Sequence, residues 1–210
     1  MKKSLKDYLG ILFGLIVLSF FFASCMSVEV QFDNEPLTSA ERIANELAAL
    51  SNPFVFIDYE ALPVGAPFTF GNFCFEDGTK MTAKQFKWLN GIDTFAGHFK
   101  ADNNGMAGFA GQDLLINNAR VNFDFPFVPE KVVIFYGEYG GNVNLIVNGI
   151  LRNVENFIVL DGTTVAGVDI YVTETAVAGG VQGVILLDGT MNTLEIGGQE
   201  FFIDHVGFKN

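Results

Sequence analysis

From residue 54 onward the apolar positions recur mostly at intervals of two. Val121, Phe123 and Phe125 alternate with Asn122 and Asp124, and Val143, Leu145 and Val147 alternate with Asn142, Asn144 and Asn148. That period sets one side of a strand against a core and leaves the other polar. Phe54–Tyr59 is rich in strand formers, and Val132–Tyr136 is continuously apolar, as in a strand buried on both faces. Further strands are predicted at Val168–Tyr171, Val184–Leu187 and Leu194–Ile196. Asn148-Gly149 is the residue pair favoured in a two-residue hairpin turn, and Gly197-Gly198 predicts a turn into a last strand, Glu200–Phe208. About eight to ten short strands, with turn signals every 8–12 residues, point to an all-β sandwich of two antiparallel sheets.

One segment has helical period instead. Ala40, Ile43, Ala44, Leu47 and Leu50 lie on one face, and Thr38-Ser39-Ala40-Glu41 has the spacing of a capping box. Ser51-Asn52-Pro53 is the predicted stop. The apolar face either packs on the domain that follows or binds a partner. After Leu50 no segment has convincing helical spacing, which argues against an α/β enzyme fold. No fixed-period repeat is present, which argues against solenoids and propellers.

The chain start follows another logic. Lys2, Lys3 and Lys6 precede a run from Tyr8 to Ser24 without a charged residue, the form of a secretory signal. The run closes on Phe22-Ala23-Ser24-Cys25. This resembles the lipobox of bacterial lipoproteins, which implies cleavage before Cys25 and acylation of its thiol. A plain membrane anchor and an ordinary cleaved signal are the alternatives, although 17 apolar residues are short for a span of about 20. The organisation is then a signal peptide at 1–24, a tether and short helix at 25–53, and a β-domain at 54–210. The implied location is the bacterial cell envelope, at the outer membrane or in the periplasm, with the membrane reached through acyl chains on Cys25.

Composition sharpens this. The chain has 210 residues with 12 Lys+Arg against 24 Asp+Glu, a net charge of −12. A basic face for phosphates is therefore missing and a nucleic-acid partner is excluded. Losing Lys2, Lys3, Lys6 and Asp7 with the signal makes the mature chain more acidic still, so acyl chains and not a basic patch would carry it to lipid. Two cysteines build no disulfide framework, and Cys74, between Phe73 and Phe75, reads as a small buried hydrophobe. The 23 phenylalanines suit the space between two sheets.

The domain opens on Ile57-Asp58-Tyr59-Glu60-Ala61-Leu62-Pro63-Val64-Gly65 and closes on Phe201-Phe202-Ile203-Asp204-His205-Val206-Gly207-Phe208. These segments, and Phe135–Asn142 between them, resemble galactose-binding-like and carbohydrate-binding jelly-roll modules of secreted bacterial proteins. The resemblance implies a jelly-roll β-sandwich, pairing of first and last strands, and a structural calcium ion with Glu60 and Asp204 as candidate ligands. Period two also turns Asp204 inward with Phe202, Val206 and Phe208, where a carboxylate needs an ion, a charge or donors. A bulge or a hydrogen-bonded turn at Asp204 is the other reading.

The sequence lacks the nucleophile elbow, zinc-protease, P-loop and dinucleotide motifs, so no enzyme activity is expected and no cofactor beyond calcium is implied. Trp88, the one tryptophan, sits beside Lys84 and Lys87, and Tyr136 and Tyr139 flank a turn-rich stretch. Exposed rings with amides beside them form a platform for sugar, which makes these three the candidate glycan-binding residues; core packing is the alternative. Two functions follow: a glycan-binding envelope lipoprotein, or a structural or adhesive surface lipoprotein that recognises a protein. Coplanar exposed rings would favour the first and buried rings the second.

Overall fold

The chain is seen here as a computed structural model, which describes residues 36–49, 53–108 and 110–210. The signal segment, Cys25 and most of the tether lie outside the described residues. Chain order is α1 (Ser39–Ala48), β1 (Val55–Ile57), β2 (Phe68–Thr69), β3 (Phe73–Glu76), β4 (Thr79–Gln85), β5 (His98–Asp102), β6 (Asp113–Asp124), β7 (Lys131–Val147) and β8 (Ile150–Val154). A 3₁₀ turn (Phe157–Leu160), β9 (Thr163–Val165), β10 (Val168–Val177), β11 (Gly180–Asp188) and β12 (Leu194–Lys209) complete it.

All twelve strands join one antiparallel hydrogen-bonded sheet. Its main path runs β2-β5-β6-β12-β7-β11-β10-β9, with β4 and β3 extending from β6, β8 from β7, and β1 from β12. The all-β reading is therefore correct, with twelve strands among the described residues in place of eight to ten. The ladder does not show a division into two separate sheets. First and last strands pair as expected, Val55 opposite Phe208 and Ile57 opposite Val206.

Three long strands, β6, β12 and β7, form the centre, and all three bulge at one belt. In β6 the irregular residue is Asn118, with φ of 51°; in β12 the register shifts around Gln199; in β7 it is Gly141, with φ of 75°. An extra residue in a strand reverses which parity faces the core. Core positions accordingly switch from Leu114 and Ile116 to Ala119, Val121 and Phe123 in β6. They switch from Ile134 and Tyr136 to Val143 and Leu145 in β7, and from Leu194 and Ile196 to Phe201 and Ile203 in β12. A second shift in β12, at His205 (φ of 46°), returns Val206 and Phe208 to the core. The bulges thus keep a single continuous apolar face while the sheet bends.

This corrects the sequence reading at two places. Gly140-Gly141 and Gly197-Gly198 are not turns between strands but creases within continuous strands. Backbones approach there so closely that a Cβ on Gly197 would overlap the Ala119 carbonyl oxygen of β6. Asn148-Gly149 is the predicted hairpin, joining β7 to β8 with φ of 49° and 80°.

The helix forms as its cap dictates. The Thr38 hydroxyl accepts from the Glu41 N–H at 3.3 Å, and Glu41 reaches back to the Thr38 N–H at 2.9 Å. It ends at Ala48, before the predicted stop. It packs on the domain: Ile43 is buried, Arg42 lies 4.8 Å above the Tyr171 ring, and Glu46 pairs with Lys131 at 2.6 Å and Lys209 at 3.0 Å. Leu37–Asn210 is consequently one compact unit that includes the helix.

Candidate functional site

Asn90-Gly91 builds a second, smaller hairpin between β4 and β5. Gly91, at φ of 85°, donates its N–H to the Trp88 carbonyl at 2.8 Å, and Trp88 N–H reaches the Ile92 carbonyl at 2.9 Å. Lys87 and Asp93 bridge across it, their side chains 2.9 Å apart. The base is closed by the Thr94 hydroxyl, which accepts from Phe86 N–H at 3.1 Å and donates to the Asn118 carbonyl at 3.0 Å. This finger stands on the creased part of the sheet.

Its seat is a set of asparagines on the face of β7 and β8 opposite the core. Asn144 Oδ1 accepts from Lys87 N–H at 2.7 Å, and its amide donates to the Lys87 carbonyl at 2.9 Å. Asn142 donates to the same carbonyl at 3.0 Å, and Asn153 donates to the Trp88 carbonyl at 2.7 Å. Asn142 and Asn144, polar-face residues by period, are buried under the finger. Backbone groups of Lys87 and Trp88 are therefore satisfied from below and the tip is held outward. Leu89 through Asp93 are all exposed, with Leu89 at 54%, Ile92 at 55% and Phe95 at 96%. Trp88 is half-buried, edge-on to buried Phe86 at 5.3 Å.

Asn144→Ala should unseat the finger. It strips the Lys87 N–H of its partner and leaves the Lys87 carbonyl to Asn142, and a buried unpaired polar group costs about 1–3 kcal/mol. The expected result is a melting temperature lower by several degrees and a red-shifted Trp88 emission; an unchanged spectrum would mean that the seat does not hold the loop.

The other proposed ring positions are elsewhere. Tyr136 is fully buried on the core face, packed against Phe157 and Phe201. Its hydroxyl crosses side-chain-free Gly183 and donates to Glu174 at 2.5 Å. Tyr139 faces the opposite side of β7, its ring edge-on to Phe202 at 5.6 Å and its hydroxyl donating to the Met106 carbonyl at 2.8 Å. Tyr136 on the core face is thus separated from Trp88 and Tyr139, which lie off it, and the three rings form no common platform.

Glu60 and Asp204 are each used locally. Glu60 Oε1 accepts from Gln112 N–H at 2.8 Å, tying the loop after β1 to the start of β6. Asp204 is buried at the bulge, its Oδ1 accepting from His205 N–H at 2.7 Å with the His205 ring Nδ1 also at 2.7 Å. Burial raises the Asp204 carboxyl, and the Asp204 carboxylate raises His205 against the effect of burial. Among the described residues no group of three or more His, Cys, Asp or Glu is arranged to hold a metal.

Sequence reasoning missed a buried polar core around Tyr59. Tyr59 has φ of 61°, is fully buried, and its hydroxyl has no partner among the described residues. Burial pushes the Glu76 carboxyl up to about 7 and that of Asp113 to about 6, although Asp113 Oδ2 accepts from Met106 N–H at 2.6 Å. Glu138, buried beside the 3₁₀ turn, is raised to about 7 by the same cause. Cys74, half-buried against the core, is raised to about 12 and is therefore a thiol, not a nucleophile.

One more feature is exposed. Among the described residues strand β3 pairs with β4 alone, and it turns Phe73 and Phe75 outward, 50% and 62% exposed and edge-on to each other at 5.6 Å. Lys80 lies 4.5 Å above the Phe73 ring. Comparison with known family models, curated proteins and solved structures finds no match to this chain.

Proposed function

We propose that this chain is a lipoprotein of the bacterial cell envelope, acylated on Cys25, whose β-domain is a non-catalytic module recognising a protein partner. We take the creased sheet, folded on one apolar face, as a jelly-roll-like sandwich. The observation that carries the reading is the β3 edge: a strand with one side unpaired among the described residues, bearing two outward phenylalanines. Such an edge accepts an extended segment through backbone hydrogen bonds, with alternate side chains giving selectivity. Its length of four residues limits indiscriminate pairing.

The glycan reading has less support, because Tyr136 is buried in the core and cannot join a ring platform with Trp88. A glycan array with the full chain should give no retention that Trp88→Ala abolishes.

A photoreactive residue placed at Phe75 in cells should give a discrete protein adduct that a Phe73→Glu change in the same chain removes, while one at exposed Thr175 gives none. Equal labelling from both positions, or none from position 75, would remove the edge from the account. Because Phe73 is half exposed, Phe73→Glu should shift the melting temperature little.

A further inference from the structure

We propose that the finger Phe86–Phe95 docks the domain on a lipid bilayer, with Leu89, Ile92 and Phe95 entering the boundary between headgroups and acyl chains. The shape is a projection, not a groove: residues 89–93 and Phe95 are exposed on a hairpin whose root, the Lys87 and Trp88 backbone groups, is met from below by Asn142, Asn144 and Asn153. A convex apolar tip cannot enclose a ligand, but it can enter a soft apolar phase with its own hydrogen bonds intact. The half-buried Trp88 stands at the root of that tip, where amphipathic rings settle at membrane interfaces.

Charge points to the same occupant. The chain carries 24 acidic against 12 basic residues, and its net charge disfavours approach to an anionic surface. On the finger and its approach the charged residues are Lys84, Lys87 and Asp93; Lys87 and Asp93 neutralise each other, which leaves exposed Lys84. This apolar projection is therefore also a place without excess negative charge. Eleven residues, Met26–Pro36, separate Cys25 from the compact unit, and an extended chain of that length spans at most about 40 Å. The inference rests on acylation at Cys25 for the high local lipid concentration that makes so small a contact effective.

The test uses Trp88, the only tryptophan, so that emission reports the finger alone. The acylated full chain is reconstituted on vesicles of phosphatidylethanolamine and phosphatidylglycerol whose acyl chains carry bromine. The expected result is a blue shift and loss of most Trp88 emission, both abolished by Leu89→Asp with Ile92→Asp while the variant still floats with the vesicles. Floating vesicles with unquenched Trp88 would overturn the proposal and leave a protein as the partner of the finger. If the chain and its Cys25→Ser variant both fail to float, acylation is the reading that fails. Titrating either with excess brominated vesicles then decides the finger separately: quenching upholds it and its absence overturns it.

Discussion

Gly197→Ala should strongly destabilise the folded domain, although it adds one methyl group. The new Cβ would collide with the Ala119 carbonyl oxygen and the Arg120 Cα of the paired strand, and neither is the free end of a side chain. Relief requires β6 and β12 to separate at the belt where all three central strands bend. That would also release Gly198 opposite Ala119 and Ile196 opposite Val121. Overpacking a core typically costs about 1–3 kcal/mol, and a backbone overlap at the crease belongs at or above the top of that range. In a domain whose net stability is about 5–15 kcal/mol, a melting temperature lower by ~10 °C or an insoluble product is expected. Gly149→Ala is the matched control. Its φ of 80° imposes strain of about 1 kcal/mol, but a Cβ there meets nothing within 4 Å. Equal effects at the two positions would show that the crease is not closely packed.

The domain should also be more stable in mild acid than at alkaline pH. Glu76 and Glu138 are raised to about 7 and Asp113 to about 6, all by burial, and Asp204 and His205 are raised too. A group raised in the folded state binds its proton more tightly there than in the unfolded chain. Its stabilising contribution is complete below the unfolded value and is lost as pH rises through the folded one. For Glu76 and Glu138 a rise from 4.5 to about 7 corresponds to roughly 3 kcal/mol each, not strictly additive. Glu46, lowered by Lys131 and Lys209 against its own burial, works in the opposite direction, but only as pH falls below the ordinary carboxylate range. Between about pH 5 and 8 the melting temperature should therefore fall by ten degrees or more as pH rises. Glu138→Gln, which keeps the shape and removes the charge, should raise stability at pH 8 and flatten the profile. A melting temperature that climbs from pH 5 to 8 would contradict the buried acid core.

Local signals were legible wherever one residue type decides the geometry. Thr38 with Glu41 marked the helix start, and Asn148-Gly149 marked the β7–β8 hairpin. Parity was the weak point. Period-two reading assumes an unbroken alternation, and the bulges at Asn118, Gly141, Gln199 and His205 reverse it. That is why β7 and β12 each read as two strands. Strand β4 escaped notice because its inward residues, Thr79, Met81 and Ala83, are small or weakly apolar and give little contrast. The finger carried the same Asn-Gly signal as the β7–β8 hairpin, at Asn90-Gly91. It went unread because its flanks mix Lys, Trp, Ile and Asp without alternation. Asp204 shows what a sequence can offer but not decide: an inward carboxylate called for a partner, and the fold supplies His205 at a bulge. The acid core around Tyr59 depends on contacts between residues far apart in the chain, among them Glu76 and Asp204, and no local pattern encodes them.

Attachment to the membrane through Cys25 underlies the functional account, and the mass of the chain recovered from the membrane fraction tests it directly. The account predicts a protein that begins at Cys25, heavier than its mature sequence by the mass of acyl groups, and a Cys25→Ser variant that lacks this mass and leaves the membrane. A mature chain without lipid, or one that retains residues 1–24 and stays on the membrane after Cys25→Ser, would contradict it.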